Sequence, residues 1–367
     1  MKFSCNGTDL ANATNIVSKA LAANKNIPIL EGIRMEARGD SLTLSAYNQE
    51  LYIQKTIHAD VFAEGDLVVN GRMLNDYANK ISFLDKIEIE KQLNNKLSFS
   101  FNKSSSEINF YDIQNFPSLG EIVGQESVKI KEGDLKELFE CTIFCAAVND
   151  SRAILKSCKL ELVGDVMEAV CLDGYRVGIA RKKPESYNGN FKAIILGKII
   201  SDITKILTDS DDVVTIQKSG STVIFDLGHT KIRATTVEGD FYKYESSLPR
   251  NIRTEVVVNK DEFEQCLNRA GIISREHFYN NIIITVEDNV INVFSESEKG
   301  KVNENVDCKS VGESVKIGLN NKFLQEALSR IKEDYVKIQI ESATRPILIS
   351  RMEGDEYRCI VLPVRMV

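Results

Sequence analysis

The run Leu172-Asp173-Gly174-Tyr175-Arg176-Val177 sets a tyrosine and an arginine beside an Asp-Gly pair. Two strand-like runs, CKLELVGDVMEAVCL and VGIARK, flank that pair, which predicts a tight turn. An aromatic ring and a guanidinium on a fixed turn are the side chains that most often anchor a binding partner. Covalent chemistry has fewer candidates. The three histidines are His58 in a strand-like run, His229 at a Gly-His turn and His277 after a helix. None stands at metal-ligand spacing from a cysteine or carboxylate pair. A hydrolase site around His229 or His277, assembled in space, is the alternative from the enzyme class. The sequence contains neither a GxxxxGKS/T phosphate loop nor a GxGxxG turn. Cys5, Cys141, Cys145, Cys158, Cys171, Cys266, Cys308 and Cys359 form no CxxC and have mostly apolar neighbours. They read as reduced core residues of a cytoplasmic protein. No metal and no cofactor is expected.

The elements that must position the turn repeat along the chain. Six stretches share a short alternating strand, a polar turn and a helix with apolar residues three and four apart. The first core-facing helix residues are expected at Leu10, Met73, Leu135, Ile199, Phe263 and Phe323, spaced by 63, 62, 64, 64 and 60 residues. Between helices the period drops to two, as in Leu42/Leu44/Ala46 and Ile282/Ile284/Val286. One helix on a small sheet buries too little apolar area alone, so the units should pair. The expected fold class is therefore α+β, with three similar domains of two units each. Joints at 115–127, with a proline and two glycines, and at 246–253, with Pro249 and little periodicity, place the domains at 1–122, 127–246 and 253–367.

Composition agrees with this organisation. A chain of 367 residues, 43% hydrophobic and 27% charged, is globular and long enough for two or three domains. MKFSCNGTDL lacks the apolar core of a signal peptide, and no run approaches a membrane span. The net charge of −7, taken alone, argues against nucleic acid. The six helical stretches nevertheless carry +3, leaving −10 for the rest. The ending, YRCIVLPVRMV, is unusually apolar for a terminus and calls for something that ties it down.

The whole chain resembles the bacterial sliding clamps, the beta subunits of the replicative DNA polymerase holoenzyme. The resemblance rests on the repeat and on NIPIL at 26–30, NDSRAIL at 149–155, LDGYR at 172–176, SLPRN at 247–251 and LPVR at 362–365. It implies a non-catalytic processivity factor: a head-to-tail homodimeric ring, sheets outside, helices lining a hole that holds duplex DNA without sequence specificity. The positive balance of the helices suits such a lining. Lys25, Arg72, Lys80, Asn149, Arg152, Lys198 and Lys205 would face DNA. Direct contact at the loops is weakened by Ala153-Ile154 after Arg152 and by Asn24 before Lys25, where relatives carry aromatic or basic residues.

The resemblance also implies a groove for short linear peptides built on Gln, Leu and Phe. It would comprise Leu155, Leu172, Gly174, Tyr175, Arg176, Val177, Pro249, Pro346, Ile360, Val361, Leu362, Pro363, Val364, Arg365 and Met366. Arg176 and Arg365 would orient the peptide, and Leu172 and Tyr175 stand where relatives usually have a smaller residue and histidine. The implied partners are the polymerase catalytic subunit, the clamp loader and repair proteins. Ile108 and Phe110, in an edge-strand run, would meet Ile272 and Ile273 of a second copy. Removing Val361–Val367 would then leave a folded dimer without peptide docking. The alternative outside the enzyme class is a peptide-binding adaptor that never encircles DNA. A cytoplasmic, nucleoid-associated location follows from the implied role, with no membrane partner.

Overall fold

The computed structural model describes residues 1–22, 27–111, 113, 116–117, 124, 126–276 and 280–366. Lys25, Asn24, His277 and the joint residues 118–123 lie outside them. Six α-helices are present among the described residues: α1 (Gly7–Val17), α2 (Gly71–Lys80), α3 (Glu132–Glu140), α4 (Gly197–Thr204), α5 (Lys260–Ser274) and α6 (Asn321–Leu328). Antiparallel strands connect them, as the α+β expectation requires.

Four of the six helices start where an asparagine side chain caps them. Asn6 accepts hydrogen bonds from the amides of Thr8 and Asp9, Asn70 from Met73, Asn259 from Glu262 and Asn320 from Phe323. Each cap stabilises its helix by about 1 kcal/mol. Four residues after each cap stands a fully buried side chain: Leu10, Leu74, Phe263 and Leu324. Two expected core positions are thereby corrected. Met73 is 55% exposed and Phe323 only half-buried, because the cap sets the helical phase and turns the next residue inward. In α1, α3, α4 and α5 the expected residues Leu10, Leu135, Ile199 and Phe263 are buried.

Contacts group the chain into two compact units. The first holds Met1–Glu132, Glu185–Gly189 and Ser210–Thr236, and its strands form a sheet of fourteen among the described residues. Within it α1 packs on α2, with Asn15 and Asn79 exchanging amide hydrogen bonds at 3.0 Å. The second unit holds Gly133–Pro184, Asn190–Asp209 and Val237–Val367 around a sheet of twelve. There α5 packs on α6, and Gln325 donates to Asn268 at 2.9 Å. The stretch 127–246 divides its strands between the two sheets. Hairpins close where the sequence placed turns: Asp288 and Asn289 both take left-handed backbone, at φ 51° and 61°.

Four strands of the second sheet carry the candidate site: Ser157–Val163, Val166–Leu172, Arg176–Lys182 and Tyr357–Val361. Cys158, Cys171, Gly178 and Cys359 line up in one cross-strand row. Cys145 fills the space that Gly178 leaves, since an added Cβ would meet its Sγ at 3.0 Å. The next row, Leu172, Val177 and Ile360, must face the opposite side because side chains alternate along a strand.

Candidate peptide groove and interfaces

The turn after Leu172 is built by Asp173. Its Oδ1 accepts the backbone amides of Tyr175 at 2.9 Å and Arg176 at 3.1 Å, while Gly174 takes φ +91°. This geometry leaves Tyr175 62% exposed and frees its carbonyl to accept the Leu362 amide at 2.9 Å. Two residues further the Val364 amide donates to Gly318 at 2.9 Å. The apolar ending is thus tied down at two points. Its strand, Tyr357–Val361, lies between Arg176–Lys182 and Ile347–Ser350, away from any edge.

An apolar cluster forms on the outward row beside that turn. Leu155, Val170, Leu172, Val177, Ile179, Tyr244, Leu348 and Ile360 are buried in it, with Ala147, Phe241, Leu248 and Leu362 packed against them and partly exposed. Full burial of each Leu, Ile or Val stabilises by about 1.5–3 kcal/mol relative to exposure. The structure brings together Leu155, Leu172, Val177, Ile360 and Leu362 of the expected set. Pro249, Pro346, Pro363 and Val364 are half-buried, and Gly174, Arg365 and Met366 are exposed. Sequence reasoning missed Phe241, Tyr244 and Leu248. Their three- and four-residue spacing was the available signal.

Two expected groove residues take other roles. Val361 is fully buried and pairs with Arg176 and Ile347, one position from Ile360 and therefore on the opposite face. Arg176 is 7% exposed and engages three acceptors. Its Nε donates to Asp173 at 3.0 Å, one Nη to the Phe144 carbonyl at 2.6 Å and the other to Glu326. The guanidinium stacks between the rings of Phe323 and Phe144, at 4.3 and 5.3 Å from their centroids. It is a clasp inside the fold, with three of its five N–H donors spent on Asp173, Glu326 and the Phe144 carbonyl. The expected truncation changes accordingly. Removing Val361–Val367 would take out a core residue and the Leu362 tie, so deletion of Val364–Val367 is the informative cut. We expect that shorter deletion to leave the thermal midpoint within about 3 °C while weakening any peptide that lies along the tail. Differential scanning calorimetry and a peptide titration check the two halves.

Of the residues expected to face DNA, Arg72, Lys80, Asn149, Lys198 and Lys205 are exposed. Lys205 lies 3.6 Å from Asp202 on α4. Arg152 is chelated by its own loop, Nε and Nη2 each 3.0 Å from Asp150. Those hydrogen bonds lower the Asp150 carboxyl to about 2. The pair stays ionised at neutral pH with no net charge to offer phosphates.

Ile272 is 66% exposed and Ile273 half-buried. Ile108 and Phe110 instead face inward, at 6% and 5%, Phe110 beneath the Lys91 ammonium at 4.8 Å. What their strand offers is backbone. Ser104–Tyr111 pairs with Lys96–Phe101 on one side and with Gly65–Asn70 only through Phe110 and Tyr111. Ser104–Asn109 is therefore a bare edge among the described residues. In the second unit Gly300–Asp307 pairs only with Val290–Ser297, which leaves another bare edge, beside α5, where Ile273 would stand 3.7 Å from a Cβ on Gly300.

Catalytic chemistry has little foothold. His58 is exposed, 3.9 Å from Asp60, and His229 sits exposed on its turn. Burial pushes the Cys5 thiol to about 12 and those of Cys141 and Cys266 to about 11, so these thiols are protonated and weakly nucleophilic. All eight cysteines are free. No cluster of metal-ligating side chains occurs among the described residues, and no helix there is long and apolar enough to cross a membrane.

Comparison with known families then decides the assignment. Residues 1–120 match the N-terminal domain of the DNA polymerase III beta subunit, 129–243 its central domain and 245–365 its C-terminal domain. The chain belongs to the DNA polymerase III beta subunit family. The beta sliding clamp of Staphylococcus epidermidis is 25% identical over 377 residues, covering 100% of this chain and 99% of that one. A putative DNA polymerase III beta subunit from Eubacterium rectale superposes with a TM-score of 0.92 at 27% identity, covering both chains fully. The DNA polymerase sliding clamp of Bacillus subtilis shares the fold at TM-score 0.94 and 24% identity, again over both chains. Beta subunits of this family are non-catalytic processivity factors in DNA replication, and this member is not an enzyme. The hydrolase alternative is thereby set aside.

Proposed function

We propose that this beta subunit works as a homodimeric ring around duplex DNA and tethers the replicative polymerase. Three domains, 1–122, 127–246 and 253–367, would repeat twice around the ring. The observation that carries the reading is the pair of bare edges, Ser104–Asn109 in one sheet and Gly300–Asp307 in the other. Each can continue its sheet with the complementary edge of a second copy, and a head-to-tail contact made twice closes a ring. Exposed Ile272 would seal the joint. Arg72, Lys80, Lys198 and Lys205 would face the enclosed duplex, and Lys25 is proposed with them. A lining of scattered lysines attracts phosphates without gripping a sequence.

Recruitment would use the apolar cluster and the tail. Leu172, Val177, Leu248 and Leu362 offer walls for Leu and Phe side chains of a linear motif, with Tyr175, Arg365 and Met366 at the rim. Polymerase, clamp loader and repair proteins would compete for it at affinities on the order of micromolar, because a disordered motif must order on docking. The decisive experiment loads the protein onto nicked circular duplex with its clamp loader and ATP. Retention on circles, followed by release when a restriction enzyme linearises them, is expected from topological linkage. Equal retention on both forms would refute encirclement and favour an adaptor.

A further inference from the structure

Beside the apolar cluster, on the same face of the sheet, lies a buried carboxylate that the peptide-binding reading does not use. Glu168 is 1% exposed, on the strand between Glu161 and Arg181. The Arg181 guanidinium donates to its Oε2 at 2.8 Å, and Lys159 Nζ lies 3.6 Å from Oε1. Tyr244 donates its hydroxyl to the same Oε1. Lys159 itself is 6% exposed, bonds Glu161 at 2.7 Å and sits 5.0 Å from the Tyr244 ring and 5.9 Å from the Phe241 ring. A carboxylate this deep is costly unless its oxygens are all engaged.

Tyr244 belongs to the connector Val237–Leu248, which supplies Phe241 and Leu248 to the half-exposed rim of the cluster. The connector has no strand partner along 238–248 among the described residues, and Val237 is tied to the sheet by one amide bond to Ile194. We propose that Glu168 is a positioning residue for the peptide groove: it holds the Tyr244 hydroxyl and so fixes Phe241, Tyr244 and Leu248 as a wall facing Leu172 and Val177. This rests on the cluster being the peptide site. The ligand contacts the wall, and Glu168 acts through it. Lys159 and Arg181 hold the carboxylate in place, and the two aromatic rings flank Lys159 at 5.0 and 5.9 Å.

The test titrates a fluorescently labelled peptide built on Gln, Leu and Phe against the full-length protein and its variants Tyr244→Phe, Glu168→Ala and Glu168→Gln. Each thermal midpoint is recorded alongside. Loss of the hydroxyl in Tyr244→Phe is expected to weaken the peptide about tenfold or more, the worth of one hydrogen bond to a charged group. Glu168→Ala should weaken it at least as much. Glu168→Gln keeps an acceptor oxygen for Tyr244 but removes the charge that balances Lys159 and Arg181. It should lower the midpoint while restoring most of the affinity that Glu168→Ala loses. The double variant Tyr244→Phe/Glu168→Ala should bind no worse than Glu168→Ala alone, because both act through one contact. Affinity that simply tracks the midpoint across all variants would overturn the positioning role while leaving the groove intact. Failure of the unmodified protein to bind any such peptide would overturn the groove and this inference together.

Discussion

Arg176→Ala should lower the free energy of unfolding by about 3 kcal/mol or more, the range for breaking a buried ion pair by removing one partner. Asp173, 14% exposed at its side chain, would lose the guanidinium that neutralises it, and Glu326 would lose its shortest partner. The Phe144 carbonyl would lose a donor, and the rings of Phe144 and Phe323 would close on a void. Arg176→Lys should recover little, since an ammonium cannot reach three acceptors in one plane and stack between two rings. Urea titration followed by circular dichroism reads the change as a shifted midpoint. A midpoint within error of the parent would mean that the arginine is held by nothing important and is free for a ligand after all. Val361 pairs with Arg176 in the next strand, so local loosening should also speed hydrogen exchange along Tyr357–Val361.

If the chain pairs as proposed, Ile272→Asp is expected to leave it monomeric at concentrations where the parent is dimeric. An isoleucine 66% exposed on α5 contributes little to its own fold, so the thermal midpoint of the separated protomer should hold. In a sealed joint the aspartate would have to be desolvated beside the bare edge of Gly300–Asp307. Interface anchors of this kind are worth 2 kcal/mol or more, so the dissociation constant should rise by about 30-fold or more. Sedimentation velocity across a dilution series measures it. An unchanged dissociation constant would place the joint elsewhere and leave Ile272 a solvent-facing residue.

The residues that the sequence misplaced share a cause. Helix and strand periods are visible in a single chain, whereas the phase of a helix and the facing of a strand depend on neighbours. Met73 and Leu74 are both apolar, and only the Asn70 cap decides which turns inward. Ile108 and Phe110 alternate correctly for a strand, yet they point to the core, and the exposed partner-seeking group is the backbone beside them. Arg176 reads as a binding anchor because its three acceptors come from residues 3, 32 and 150 positions away. Leu172, Val177 and Ile360 were named through the family resemblance, whose motif LDGYR marks the turn beside them, and they are buried in one cluster. The connector wall was not, since Phe241, Tyr244 and Leu248 belong to no regular strand and are ordered by a buried carboxylate 76 residues earlier. The family resemblance, carried by short motifs in order, survived all of these local errors.

The position of strand Tyr357–Val361 between Arg176–Lys182 and Ile347–Ser350 bears on how the protein is made. Ribosomes emit Arg176 long before its neighbour across the sheet exists. At about 5–20 residues per second, the roughly 180 intervening residues take on the order of 10–40 s. Throughout that interval the strand Arg176–Lys182 presents an unpaired flank with Val177 and Ile179 uncovered, the state in which nascent chains attract chaperones and one another. Slow translation of the second half would lengthen that exposure. Yield in a cell should therefore respond to codon choice after residue 182 more than to codon choice before it.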